Sequence, residues 1–156
     1  MRIRLLTIGN KMPGWVTEGY QEYANRMPHE CRLKLVELKL PERTKGSDIA
    51  RLVAQEAELI NAQLKAGERL LALDVKGRNW STEQLADEMQ HWRQDGRDIA
   101  LIIGGPDGIA PELLHKAELK WSLSALTLPH PLVRIVVAEA LYRAHTVISR
   151  HPYHRA

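Results

Sequence analysis

A single cysteine, Cys31, is all the thiol this 156-residue chain carries. It cannot form an intrachain disulfide, and its presence fits a reducing compartment, so a cytoplasmic protein is expected. No metal-ligand spacing surrounds it, and it reads as a bystander. No run of 18 apolar residues occurs, which excludes a membrane-spanning helix. The opening MRIRLLTIGNK has too short an apolar stretch for a secretory signal and reads as a first strand. Seven histidines are present, yet none shares a spacing with Cys, Asp or Glu that makes a familiar zinc site, so no metal is expected. His151 and His154 sit in a short, proline-interrupted tail that is a poor metal cradle. The Gly-x-Gly-x-x-Gly order of a dinucleotide site is missing, as is the Gly-Lys-Ser/Thr ending of a P-loop. Charge of one sign is not in large excess. A net +3 permits an anionic partner without requiring one.

What is present is an alternation. Ile3 to Ile8 is a compact apolar run closed by the turn signal Gly9-Asn10. A helical pattern follows from Pro13, with Val16, Tyr20, Tyr23 and Met27 on one face, and it stops before Pro28. Leu33 to Leu38 is a second strand, and Leu40 to Gly46 a basic loop. Ser47 is the expected N-cap of a helix carrying Ile49, Val53, Ala57, Ile60 and Leu64, with Gly67 as its C-terminal cap. Leu70 to Val75 is a third strand. Ser81 and Gln84 form a capping box for a helix that buries Leu85, Met89 and Trp92. Ile99 to Ile103 is a fourth strand, a short helix begins near Pro111, and Trp121 to Ala125 is the expected fifth strand. Pro131 then opens the last helix, at a position where its missing N–H costs nothing. Units of about thirty residues with near-continuous apolar strands imply an α/β protein with a mostly parallel sheet covered on both faces.

Ligands of such sheets bind at the carboxyl ends of the strands. Three loops qualify together: Asp74 to Arg78, Gly104 to Ile109, and Leu126 to Pro131. The middle loop, with three glycines in five residues, either brings backbone close to a ligand or simply turns tightly. The last helix is apolar on nearly every side. One sheet cannot cover it, so a subunit interface is expected. Glu139 and Arg143 on that helix are four apart and could merely pair along it. The tail Arg150 to Arg155, basic and aromatic, could grip phosphate and stack on a base, or fray as terminal residues usually do.

IGGPDG at Ile103 to Gly108, WSLSALTLPHPLVRIVVAEALYRA at Trp121 to Ala144, and HPYHR at His151 to Arg155 together resemble one family. It is the bacterial ribosomal RNA large-subunit methyltransferase H family, small members of the SPOUT class that methylate N3 of a pseudouridine in 23S rRNA. Gly9, Lys11-Met12-Pro13 and Trp15 fit the same pattern, and the resemblance spans the full length. It implies one SPOUT domain over residues 1–156 without a separate RNA-binding domain, a C-terminal trefoil knot, and a homodimer packed through the knotted region. The knot rests on resemblance alone, since chains as a rule avoid threading loops.

The resemblance also implies S-adenosyl-L-methionine as methyl donor, held by Leu73, Gly104 and the run Leu123, Ser124, Ala125, Leu126, Thr127 and Leu128. Ser124 and Thr127 offer small hydroxyls between apolar walls. On the substrate side, His130, Glu139 and His154 are candidates to handle the imide proton. Arg143 or Arg155 would stabilise developing negative charge or hold phosphate. An active site shared between subunits adds Tyr153, His154 and Arg155 from the tail. Arg43, Lys45, Lys76 and Arg78 are expected RNA contacts, with an assembled ribosome as the substrate. The competing readings are a SPOUT methyltransferase for transfer RNA or another ribosomal base, and a non-catalytic ribosome-binding factor.

Overall fold

The computed structural model describes residues 1–9, 12–39, 46 and 48–155. Among these described residues five strands form one sheet in the order β2-β1-β4-β3-β5, every pair parallel. They are β1 (Ile3–Ile8), β2 (Leu33–Leu38), β3 (Arg69–Arg78), β4 (Ile99–Ile103) and β5 (Leu119–Trp121). The helices between and after them are α1 (Gly14–Ala24), α2 (Ile49–Gln63), α3 (Thr82–Asp95), α4 (Pro111–Lys116) and α5 (His130–Ser149).

Side chains of successive strand residues point to opposite faces, and the sheet buries two separate cores in consequence. Ile3, Leu5, Leu71, Ile99 and Leu101 pack with Tyr20, Met89 and Leu141 from α1, α3 and α5. Leu6, Ile8, Leu70, Ala100 and Ile102 pack with Ile60 of α2 and Leu113 of α4 on the other side. This doubly covered sheet is the α/β architecture expected from the apolar strand runs. Because all strands run the same way, their carboxyl ends lie along one edge.

Several local boundaries differ from expectation. The first helix ends at Ala24, capped by Asn25, although Met27 is still buried. Ser47 lies outside the described residues, and the N-cap of α2 is Asp48, which accepts from the Ala50 N–H at 3.0 Å. The buried stripe of α2 is Leu52, Glu56, Ala57 and Ile60, while Ile49 is 57% exposed. A charged residue within that stripe displaced the apparent apolar face. Gly67 (φ 84°) is not the helix cap, which falls at Leu64; it makes the turn into β3. The Ser81–Gln84 capping box forms in both directions, and Gly96 caps α3 in the left-handed conformation.

The fifth strand is displaced too. It is Leu119–Trp121, and residues 122–129 leave the sheet. Hydroxyl groups explain this: Ser122 Oγ donates to the Ser124 carbonyl at 3.2 Å, and Ser124 Oγ accepts from the Leu126 N–H at 2.9 Å. Such bonds offer backbone an alternative to a strand ladder. Trp121 anchors the strand just before them, its ring 5.8 Å from that of Trp80.

Helix α5 packs against both α1 and α3. The approach to α1 is close, since a Cβ on Gly19 would lie 2.8 Å from Ile135 Cδ1. Val137, Ala138, Leu141 and Ala144 are fully enclosed within the chain, whereas Leu132 is exposed and Ile135, Val136 and Ala140 are half-buried.

Candidate functional site

A cleft of about 650 Å³ opens where the carboxyl ends of the strands meet, within the range of small-molecule sites, roughly 300–1,000 Å³. Its floor is Ile8 at the end of β1 and Gly9 after it, Leu73 in β3, and Ile103 after which the glycine loop begins. Its rim is Asp74, Val75, residues 122–124 and residues 126–128, and His130 and Val133 of α5 close one end. All three loops singled out from the sequence contribute. Of the residues expected to hold the methyl donor, Leu73, Gly104, Leu123, Ser124, Leu126, Thr127 and Leu128 line the cleft, and Ala125 does not.

The glycine loop is shaped chiefly by its own packing. The Gly108 N–H bonds to the Gly105 carbonyl at 3.0 Å, and Gly108 adopts φ 85°. A Cβ on Gly104 would lie 2.8 Å from the Gly108 carbonyl carbon, and one on Gly105 would lie 2.9 Å from both carboxylate oxygens of Glu56. Glu56, only 3% exposed on α2, therefore backs the loop from outside the cleft. These glycines permit a tight turn and a flat cleft wall together.

The rim before α3 owes its shape to an irregular β3. Leu73 and Arg78 are both registered on Trp121, so residues 74–77 arch outward between them. Gly77 sits against β5, where a Cβ would meet the Lys120 carbonyl carbon at 2.6 Å. Val75 and, across the opening, Leu126 are 77% and 75% exposed. Two bare apolar side chains on a cleft rim offer a ligand hydrophobic contact that the fold itself does not use. Ser124 Oγ accepts from within its own loop and keeps its proton to donate.

His130 is the only one of the six expected catalytic residues, all within the described residues, that lines this cleft. Its Nε2 lies 3.3 Å from Nε of Arg134. Arg134 is 2% exposed and also donates through Nη1 to Glu37 Oε2 at 2.8 Å, and through Nη2 to Thr7 Oγ1 and the Gly9 carbonyl at 3.2 Å each. Burial first, and the Arg134 charge second, push the His130 pKa below its ordinary value. Arg134 and Glu37 did not emerge as site residues from the sequence. An arginine within an apolar helix was the available signal, because a buried guanidinium needs partners.

Three of the remaining candidates, Glu139, Arg143 and Tyr153, form a second cluster farther along α5. Arg143 Nε and Tyr153 Oη both donate to Oε1 of Glu139, at 2.8 and 3.0 Å. The Arg143 guanidinium lies 5.0 Å from the Tyr153 ring centroid, and the Tyr153 ring is 4.8 Å from that of Tyr142. Burial, reinforced by the Glu139 bond, pushes the Tyr153 pKa up to about 12, so it is a phenol and a donor at neutral pH. The tail does not fray. His151 N–H bonds to the Thr146 carbonyl at 2.9 Å, and Pro152–His154 form one turn of 3₁₀ helix packed on α5. His154 carries a buried Nδ1 without a hydrogen-bond partner among the described residues, and Arg155 is exposed. At a 1.5 Å rise per residue, Arg143 stands about 20 Å along the helix from His130. One chain thus separates its expected catalytic residues into two groups.

Among the described residues, no group of His, Cys, Asp and Glu could hold a metal ion, and no helix is long and apolar enough to cross a membrane. Lys76 and Arg78 are exposed, in the segment that follows the rim residues Asp74 and Val75, whereas Arg43 and Lys45 lie outside the described residues.

The chain matches a protein-family model described as "Predicted SPOUT methyltransferase" over residues 1–154. It is 56% identical to "Ribosomal RNA large subunit methyltransferase H" of Pseudomonas paraeruginosa, covering 99% of this chain and all of that one. The Pseudomonas putida protein of the same name is 54% identical with the same coverage. Among solved structures, a methylase family protein from Neisseria gonorrhoeae aligns with a TM-score of 0.52 at 13% identity, covering 90% of this chain and 81% of that one, which speaks to fold alone. With its doubly covered parallel sheet, a cleft at the strand ends, and relatives more than half identical from end to end, this chain belongs to the SPOUT methyltransferase family.

Proposed function

We propose that this protein transfers a methyl group from S-adenosyl-L-methionine to N3 of a pseudouridine in 23S rRNA, and that its substrate is the assembled ribosome. The observation that carries the reading is full-length similarity to relatives named ribosomal RNA large subunit methyltransferase H, combined with an apolar cleft at the strand ends that a glycine loop helps to wall. A ribosomal substrate places the protein in the cytoplasm.

The cleft suits the donor in its chemistry. Leu73, Leu123, Leu126 and Leu128 supply apolar walls, while Gly104, Ser124 and Thr127 present backbone groups and two hydroxyls able to read a heterocycle and a ribose. When bound, the donor supplies an electrophilic methyl group on a sulfonium, leaving as a neutral thioether. The protein's own task is then alignment of the reactants and management of one imide proton.

That management involves residues of two subunits in this reading. His130 stands at the cleft, and Glu139 and Arg143 of the Glu139–Arg143–Tyr153 cluster stand about 14 and 20 Å away along α5, so a second copy packed through the half-buried side of α5 would bring its tail to the first copy's cleft. Glu139 of that cluster, or His154 of the tail, is the candidate proton acceptor. Arg143 and Arg155 are cations for the developing imidate or for phosphate, and Tyr153 is a fixed donor. The homodimer, the trefoil knot and a single domain over residues 1–156 belong to this reading and are supported by family membership.

The test is methylation of ribosomes from cells lacking this protein. Digestion and mass spectrometry of the large-subunit RNA should reveal one new methyl group on a pseudouridine, made faster on ribosomes than on naked RNA. Methylation of a transfer RNA, or calorimetry without any donor binding, would overturn the assignment. Truncation before Tyr153 should abolish transfer and leave donor affinity within a few-fold.

A further inference from the structure

We propose that Arg134 is a positioning residue of this site, holding the His130 ring with Nε2 as acceptor so that His130 acts there as an Nδ1–H hydrogen-bond donor and not as the general base. Arginine is always protonated and has no acceptor. Its Nε–H, 3.3 Å from His130 Nε2, must therefore meet a lone pair. A neutral imidazole with a lone pair on Nε2 carries its proton on Nδ1. The alternative tautomer would set two N–H groups against each other, and an imidazolium would set two cations against each other.

The geometry is over-determined from the arginine side. Four of its N–H groups are engaged: with His130, with Glu37 on β2, and with Thr7 and Gly9 at the end of β1. Glu37 neutralises the guanidinium, and Arg134 is 2% exposed. Turning the guanidinium to release His130 would break bonds to two strands at once. Gly9 is itself part of the cleft floor, so the same fork ties that floor to the histidine at its end. Burial of His130, which lowers its pKa, works in the same direction by favouring the uncharged ring. The proton removed from the RNA base must then go elsewhere, to a group outside this hub, and His130 is left to donate to a substrate oxygen or to orient the base.

The proposal takes its substrate side from the methyl-transfer reading, but its structural side can be tested without any transfer. Long-range proton–nitrogen NMR of the full chain, with His130 assigned by its loss in His130→Asn, reads the tautomer directly. The expected result is a protonated Nδ1 and a bare Nε2 at neutral pH. Arg134→Lys, which keeps the charge and loses the fork, should shift the ring toward a mixture of tautomers. A protonated Nε2 in the unsubstituted protein overturns the proposal whether or not any variant folds. The kinetic arm uses the shape of asparagine, whose side-chain amide reaches the position of Nδ1. His130→Asn should keep kcat within about tenfold, and His130→Ala should lose roughly a hundredfold, the range of one positioned donor. Equal loss in both overturns the donor role. An inactive protein with the expected tautomer would instead sink the methyl-transfer reading and leave the Arg134–His130 relationship standing.

Discussion

Tyr153 donates its hydroxyl proton to Oε1 of Glu139 at 3.0 Å, the same oxygen that receives Nε of Arg143. The i,i+4 pair on α5 is thus the fixed half of a clamp whose other half is the last turn of the chain. Removing only the hydroxyl, in Tyr153→Phe, keeps the ring on Tyr142 and Arg143 but loses a bond to a charged acceptor. A loss of about 1.5 kcal/mol is expected, the low end for a bond to a charged group. Because Arg143 shares the acceptor, Tyr153→Phe and Arg143→Met should be non-additive by about 0.5–1 kcal/mol in a double-mutant cycle. Urea denaturation of the four proteins measures this, and strict additivity would mean that the shared oxygen does not couple them.

The inner strands were readable in advance because they are buried on both faces, so Ile3–Ile8 and Ile99–Ile103 appear as unbroken or nearly unbroken apolar runs, whereas the edge strand Leu33–Leu38 is only partly buried and carries Lys34 and Glu37. The cleft was readable in outline for a topological reason, since parallel strands bring their carboxyl-end loops to one edge. The Arg134 hub was not. Its partners Glu37, Gly9 and Thr7 lie 97, 125 and 127 positions away in sequence, and no local pattern announces such contacts. The end of β5 was misplaced because Ser122 and Ser124 spend their hydrogen bonds within their own loop, a choice that apolar patterning does not register. The separation of His130 from Glu139 and Tyr153 needed the length of α5 in space.

Gly105 is held to glycine by a protein contact. Its Cβ position lies 2.9 Å from both oxygens of the buried Glu56 carboxylate, so Gly105→Ala should destabilise the fold by about 1–3 kcal/mol as an overpacking change. Shortening the obstacle should relieve it. In a Glu56→Ala background the same Gly105→Ala substitution is expected to cost at least 1 kcal/mol less. Thermal or urea unfolding of the four combinations decides it, and an undiminished cost in the Glu56→Ala background would place the obstruction elsewhere.

Leu126 makes the opposite kind of prediction. With 75% of its surface exposed on the rim, it contributes little to folding, yet a ligand in the cleft would cover it. Leu126→Ala should leave the melting temperature within about 1 °C, since exposed substitutions away from special features change stability little. The loss of apolar burial on binding should weaken donor affinity by about five- to tenfold, the scale of 1–1.5 kcal/mol. Calorimetric titration with S-adenosyl-L-methionine measures it. Unchanged affinity would mean that the donor does not touch this rim.

His145 predicts how stability responds to acid. Its Nδ1 lies 2.9 Å from Nη2 of Arg93, so the neutral ring accepts there and a protonated ring could not. Burial first, and the Arg93 charge second, lower its pKa, with nearby Glu30 opposing and His151 adding to the effect. The sign follows from linkage. An unfolded histidine titrates near 6.5, so below that pH the unfolded chain binds a proton that the folded one refuses. This contribution is fully present above pH 6.5 and is lost as pH falls through the depressed folded value. His130 adds a term of the same sign. The urea midpoint of the unsubstituted protein should therefore fall between pH 7.5 and pH 5.5, and His145→Gln, which cannot titrate, should fall by less. An equal fall in both proteins would remove His145 from the acid response and leave it to His130 and the carboxylates.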